Sequence, residues 1–441
     1  MKRVLIFLLF CSSILNAQNM DSVMVSLNQI LEKDSSNVEA RIQRANLFYE
    51  NYELEDALKD ISVCKKYSNK DPYIYYMSSQ IQNDLSVFDS ALSDINRAIE
   101  LEPYPEFFQS RAMIFLSMEE FDLAIKDSYQ FKGQADLDMT FYLIQSIANQ
   151  KMGKLEESIM ICKEALEYYP ELSEMYHLLA KSYDLKDDDE EAMTAIDQAI
   201  RLSPDVEYYY QTKAVFKIKK KINPELTIQK DDEKWFFRDL NLGTYEDLDK
   251  MVKKRRKKYY SDKLKDRFIN DYESLSLDEY FMLYYGFSSH KRYSPYFSNT
   301  NEEIGAIKEF LYQGDYQAVI EKAETILRVD HSQLEVYLML ARAYLYNGNP
   351  EKAFENYYKY SAFLESIVAT GSGESYESPI IVINISDEYV IMNYLGFPYF
   401  EQSLSHHNSH VYDVHKYVKQ QKEQEVYFVI DKPFSSLGEI F

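Results

Sequence analysis

The chain has 441 residues and carries 72 acidic against 49 basic side chains, a formal charge of −23. A surface that acidic repels phosphate backbones, which excludes nucleic acid as a partner. The length exceeds one compact domain, so two or more units are expected, and 11 glycines against 40 tyrosines predict helices and aromatic packing rather than loops.

Lys2 and Arg3 precede an apolar run, Val4–Phe10, and Asn16-Ala17-Gln18 then offers a small residue at a cleavage point. A charged start, a short apolar stretch and a small residue before the cut describe a secretory signal peptide, residues 1–17. The run falls short of the roughly 20 residues that a membrane span needs. Cys11 raises a lipoprotein signal, but Phe10 stands where such signals want a small residue. The mature protein is therefore read as exported and soluble, periplasmic or extracellular, with no membrane span.

From Val38 to Pro204 one pattern recurs about every 34 residues. Small residues fall at Ala57, Ala91, Ala124, Ser158 and Ala192, and twelve positions before each stands another, Ala45, Ser79, Ala112, Ser146 and Ala180. Three of the repeats close on a proline, at Pro103, Pro170 and Pro204. A fixed period with small residues at these phases predicts stacked helical hairpins, because helices A and B of each pair approach too closely there for large side chains. The stretch resembles five tetratricopeptide repeats, which implies a helical solenoid that binds partners on its concave face. Arg41 replaces the large aromatic that Tyr75, Tyr142 and Tyr176 supply near the start of helix A. Phe131 occupies a normally small position, so the third repeat is expected to pack irregularly. Cys64 and Cys162 fall on the packed sides of distant helices and read as small buried apolar residues, too far apart for a disulfide.

Val23–Glu32 is amphipathic and in phase with a half repeat that covers the leading edge of the array. Val206–Lys221 reads as a capping helix, lysine-rich at its end and stopped by Asn223-Pro224. The array is thus expected over 18–221. A connector, 222–244, holds the only tryptophan in Trp235-Phe236-Phe237 and reads as ordered packing between domains rather than an exposed recognition segment. The basic run Lys253–Lys258 continues a helical pattern and reads as a solvated face.

The second unit, 245–441, is predicted to be α+β. Gly314-Asp315-Tyr316 and Gly348-Asn349-Pro350 are turns set 34 residues apart, which predicts two further hairpins over 303–364. Ile380–Ile385, Val411–Val418 and Glu425–Ile430 read as strands of a small antiparallel sheet, with a short helix over Glu388–Leu395. The motifs YYSDKLKDRF, LDEYFMLYYGF, RYSPYF, IVATGSGES and DEYVIMNYLGF resemble an uncharacterised bacterial family, the domain of unknown function numbered 4919. That resemblance implies one domain there and an exported bacterial setting, and lends no catalytic residues. The predicted fold class is mainly α, a repeat solenoid followed by this α+β domain.

Positions two, five, nine and twelve of each helix A are expected to line the concave face. They include Ile42, Asn46 and Tyr49; Tyr73, Tyr76, Gln80 and Asn83; Gln109, Met113 and Leu116; Leu143, Ile147 and Gln150; His177, Lys181 and Asp184; and Tyr208 and Gln211 on the cap. Rings supply contact area and amides satisfy a peptide backbone, so this face suits an extended segment. Repeats that grip a C-terminal carboxylate use lysines and asparagines here; only Asn46 matches, with Met77, Glu106 and Ser110 at other clamp positions, which argues against that mode.

His406, His407, His410 and His415 with Asp413 invite a metal reading. On a strand, Asp413 and His415 share a face and His410 points away, so His410, Asp413 and His415 are weak candidates against a polar loop entering a strand. Thr370-Gly371-Ser372-Gly373 follows a helix and precedes a strand, the reverse of a phosphate loop, and reads as a helix stop and turn. With no nucleophile elbow or other enzyme motif, the function expected is an exported scaffold that binds a protein or peptide, without cofactor. The alternative is a hydrolase or small-ligand module in the C-terminal domain, with the repeats recruiting its target. It requires His410, Asp413 and His415 to converge with Tyr or Ser side chains in one deep pocket.

Overall fold

The computed structural model describes residues 17–133, 138–219, 248–253, 261–291, 293, 295, 299–397, 399–419 and 422–437. All of the expected signal peptide but Ala17 (Cys11 included), the Trp235-Phe236-Phe237 segment and all but Lys253 of the basic run lie outside these residues. The chain forms two compact units, residues 1–188 and residues 189–441.

Unit 1 is a run of helices: α1 (Ala17–Lys33), α2 (Val38–Glu50), α3 (Leu54–Tyr67), α4 (Pro72–Asp84), α5 (Phe88–Leu101), α6 (Pro105–Ser117), α7 (Phe121–Ser128), α8 (Asp138–Lys151), α9 (Leu155–Tyr168) and α10 (Ser173–Leu185). Local chemistry sets the starts. Asn37 accepts from the Ala40 amide before α2, and Asp71 accepts from the Tyr73 amide, with Pro72 opening α4. The small residues do what their spacing predicts: Ala45, Ala57, Ser79, Ala91, Ala112, Ala124, Ser146, Ser158 and Ala180 are all fully buried. So are Cys64 and Cys162, neither in a disulfide, and burial pushes both thiols up to about 11.

The third repeat is irregular where Phe131 predicts it. Helix α7 has 8 residues against 14 in α5 and α9. It ends before Phe131, whose ring is fully buried beyond the helix. The missing aromatic of the first repeat is replaced by charge. Arg41 and Arg44 both bond the carboxylate of Asp60, at 2.5 and 2.7 Å, and Asp60 is buried. Arg111 holds buried Asp127 in the same way in the third repeat, at 2.6 Å. Each A-to-B contact there is an ionic clamp with charge-assisted, two-pronged hydrogen bonds.

Unit 2 comprises α11 (Asp189–Leu202), α12 (Glu207–Lys219), α13 (Leu248–Lys253), α14 (Ser261–Asn270), α15 (Leu277–Phe287), α16 (Asn299–Gln313), α17 (Tyr316–Val329), α18 (Leu334–Tyr346), α19 (Pro350–Val368), β1 (Ile380–Ile381), α20 (Ile385–Tyr394), β2 (Tyr399–His407), β3 (His410–Lys419), β4 (Lys422–Val429) and α21 (Asp431–Leu437). Helices α16 to α19 are the two expected hairpins, turning at Gly314 and Gly348 in the left-handed region. Helix α15, apolar beyond its acidic first turn, is buried along Leu277–Tyr285 and at Phe287, so it forms the centre of this unit. A reciprocal Ser276–Glu279 capping box starts it.

Within unit 2 the helix expected to cap the array packs on α19. Tyr210 stacks on Tyr357 with centroids 6.1 Å apart. Glu207 accepts from Arg342 at 2.7 Å, and Lys217 bonds Glu273 at 2.9 Å.

The sheet order is β1-β4-β3-β2. Strands β2, β3 and β4 are antiparallel, as expected, and the two residues of β1 add a parallel pairing, Ile380↔Phe428 and Ile381↔Val429. The strand expected over Ile380–Ile385 is cut short because α20 already begins at Ile385. The loop expected to hold His406 and His407 is the end of β2, an edge strand. Asn408 and Ser409 close the β2–β3 hairpin with φ of 46° and 64°, a two-residue turn with both residues left-handed.

Candidate peptide-binding groove

Helices α2, α4 and α6 are the A helices of the first three repeats, and they place their concave positions around one cavity of about 170 Å³. Tyr49, Tyr76, Gln80, Asn83, Gln109 and Met113 line it. Asp84 and Ser110 complete the wall. Asp84 follows the twelfth position of helix A directly, so an offset of one residue hid it from the periodicity argument.

The wall is held by its own hydrogen bonds. Tyr49 donates its hydroxyl to Asp84 Oδ2 at 2.5 Å, a contact 35 residues apart in sequence. Burial and the Asp84 carboxylate together raise the Tyr49 hydroxyl well above its ordinary value, so it stays a donor. Gln80 Nε2 donates to the Tyr76 hydroxyl at 3.0 Å, and Gln109 Nε2 donates to Thr140 Oγ1 at 2.9 Å. Asn83 Oδ1 is buried and has no hydrogen-bond partner.

Beside the cavity lies a ledge of rings. Tyr73 and Tyr104 stack at 5.8 Å, and Phe107 meets Tyr73, Tyr76 and Tyr104 at 5.1–5.4 Å. Tyr73 donates to Glu106 Oε1 at 3.2 Å, and burial followed by that carboxylate pushes its hydroxyl up to about 12. Tyr73 remains 39% exposed and Met113 44%, so both present apolar surface to solvent.

Further along the array the expected positions behave differently. Gln150 is buried and spends its amide on Ser182 Oγ at 2.7 Å and the Leu178 carbonyl at 3.2 Å. His177 is buried, with Glu174 at 3.7 Å. Leu143, Ile147, Lys181 and Asp184 are half-buried, and burial, then Lys151, lowers the Lys181 ammonium. Ile42 packs partly buried into the core of the first repeat. Asn46 and Leu116 are half-buried as well. In unit 2, Tyr208 is 40% exposed with its ring 4.5 Å from Tyr209, and Gln211 is half-buried.

The histidines of unit 2 are distributed rather than gathered. His410 Nδ1 pairs with Asp431 Oδ2 at 2.6 Å, and His407 stacks on Tyr376 at 4.6 Å. His406 meets Phe434 edge-on at 5.7 Å. Asp413 and His415 share the opposite face of β3. His415 Nε2 lies 2.7 Å from Glu388 Oε2, with both side chains fully buried, and Asp413 accepts from Gln402 at 2.9 Å. Burial raises Glu388 well above the carboxylate range, and Asp413 beside it adds to this; burial lowers His415 to about 4. The arrangement is a buried polar knot that joins α20 to the sheet. No three His, Cys, Asp or Glu side chains are grouped to hold a metal ion among the described residues.

Thr370–Gly373 lies between α19 and β1, as a helix stop does. Thr370 Oγ1 accepts from the Ile381 amide at 2.9 Å, and Gly373 bonds Ser378 and Tyr427 through its backbone.

Helix pairs at a 34-residue period, joined through buried small residues and lining one cavity, define a tetratricopeptide repeat array. Residues 173–206 match the tetratricopeptide repeat model, and residues 246–437 match the model of the domain of unknown function DUF4919. No curated protein matches the chain. Among solved structures it is similar to a tetratricopeptide repeat protein from Parabacteroides merdae, at 17% identity and TM-score 0.43 over 47% of this chain and 82% of that one. It is also similar to YrrB, described as a repeat protein with an unusual peptide-binding site, at 18% identity and TM-score 0.34 over 42% and 97%. The pilus biogenesis factor PilW matches at 15% identity and TM-score 0.37 over 42% and 84%. Among the described residues no helix is long and apolar enough to cross a membrane.

Proposed function

We propose that the protein is an exported, non-catalytic scaffold whose repeat array binds an extended protein segment in the groove of α2, α4 and α6. The observation that carries this is the cavity itself, where half-buried rings and side-chain amides from three successive A helices face one space. An extended chain needs that combination of apolar contact area and hydrogen-bond partners at intervals. The alternative hydrolase draws no support from geometry, since His410 and His415 serve different carboxylates and His415 is fully buried.

The test is selection of nine-residue peptides from a display library against the full chain, with affinities then measured by fluorescence anisotropy. Selected peptides should lose at least about tenfold in affinity when Gln80→Ala and Met113→Ala are combined, the loss of one or two good contacts. Equal binding to the double variant and the parent would sink the groove reading.

Export rests on Lys2-Arg3, the apolar run and Ala17. N-terminal sequencing of the protein from the cell envelope of its native host should begin at Gln18. A chain still beginning at Met1 would rule out cleavage there.

A further inference from the structure

The groove of the first three repeats has a one-sided charge. Its A helices carry three cations in all: Arg41 and Arg44 on α2, and Arg111 on α6. Each is committed to helix B, Arg41 and Arg44 to Asp60 and Arg111 to Asp127. None is left to face a ligand. The cavity wall instead carries a carboxylate. Asp84 is exposed at the cavity wall, with one oxygen engaged by Tyr49. A carboxylate beside aromatic rings, with no cation of the A helices facing it, favours a positively charged ligand group. Glu106 stands at the edge of the adjoining ring ledge and adds negative potential.

We propose, resting on the groove reading, that this cavity is a subsite for one lysine or arginine side chain of the bound segment. Its cationic head meets the Asp84 carboxylate, and its aliphatic stem lies along the Tyr76 ring. A volume of 170 Å³ suits one long side chain, since a cavity of about 150 Å³ accepts a benzene ring. Rings beside the head add cation–π attraction, and long basic side chains place stem and head in this way. An acidic side chain in the same place would be repelled by the Asp84 carboxylate.

The experiment uses peptides selected on the full chain. They should share one basic position, and replacing that residue with norleucine should weaken binding at least about fivefold, a modest share of a partly exposed charge pair. The variant Asp84→Asn keeps an oxygen for the Tyr49 hydroxyl and sits at an exposed helix end, so folding is preserved. In it, the lysine and norleucine peptides should bind alike. If selected peptides depend on Gln80 and Met113 but show no basic preference, or keep that preference in Asp84→Asn, the subsite is overturned and the groove stands. If no selected peptide depends on the groove, both readings fall.

Discussion

Raising the pH from about 4 to 8 should cost the protein stability through its buried carboxyl Asp387. Its side chain is 3% exposed at the start of α20, and burial pushes its pKa up from 3.8 to about 7. The Tyr284 hydroxyl at 2.6 Å and Asn384 at 3.1 Å pull the other way, with less effect. A carboxyl whose folded pKa is raised binds a proton more tightly than the unfolded chain does. Its contribution is therefore fully present below pH 4 and is lost as pH rises through 7. A rise of about three units corresponds to on the order of 4 kcal/mol. Glu388, also raised by burial, acts in the same direction, whereas His415 opposes both: its pKa is lowered from 6.5 to about 4, so its contribution exists above 6.5 and is lost as pH falls through 4. Asp387→Asn isolates the first effect, because the amide oxygen still accepts from Tyr284 and cannot titrate. Denaturant unfolding of the full chain and the variant across pH 4 to 8 should show their stability difference swing by on the order of 4 kcal/mol in favour of the variant. A difference that stays constant over that range would show that Asp387 is ionised in the folded state throughout.

The parts of this fold that were legible are those where one residue type has one physical use. Ala57, Ala91 and Ala124 could be read as helix contacts because only a small side chain fits at a close crossing. The irregular third repeat was legible in Phe131 for the same reason. Strand β2 was not, because Tyr399–His407 lies at the sheet edge with Glu401, Gln402, Ser403 and Leu404 all exposed, so burial imposes no alternation on its sequence. The available signal was Asn408-Ser409, a pair that tolerates the left-handed turn. The groove was read by phase, which found Tyr49, Tyr76, Gln80, Asn83, Gln109 and Met113 at one cavity. Phase alone could not say that Gln150 would turn inward to Ser182, since an amide serves a buried hydroxyl as readily as a ligand. Nor could clustering in sequence bring the histidines together. The hairpin pairs His407 with His410, while β3 sends His415 to its other face, toward α20.

The substitution Gly371→Ala should be among the most damaging single-methyl changes in the protein. The turn from Thr370 to Ser378 folds back so closely that a Cβ on Gly371 would lie 2.2 Å from the Pro379 carbonyl oxygen and 2.7 Å from that of Ser378. Both are backbone atoms, so no side chain can swing aside. The backbone cannot move freely either. Ile381 donates to Thr370 Oγ1 at 2.9 Å, Ser372 donates to Ser378 Oγ at 2.9 Å, and Tyr427 of β4 donates to the Gly373 carbonyl at 2.8 Å. A shift that relieves the clash must loosen bonds that tie α19 to β1 and β4. Overpacking of this kind, with hydrogen bonds weakened as well, costs about 3 kcal/mol or more. Gly153→Ala is the matched comparison. Gly153 has φ of 74° with nothing within 4 Å of its Cβ position, so only backbone strain of about 1 kcal/mol is added there. Tyr52, Ser86, Glu119 and Asp187 hold the same left-handed turn in other repeats with φ near 60°, so the strain is tolerable. Denaturant unfolding of the two variants should therefore separate them by at least about 2 kcal/mol, with Gly371→Ala the weaker. Equal losses would mean that the Gly371 turn yields without disturbing the sheet, and that its hydrogen bonds to β1 and β4 do not hold α19 in place.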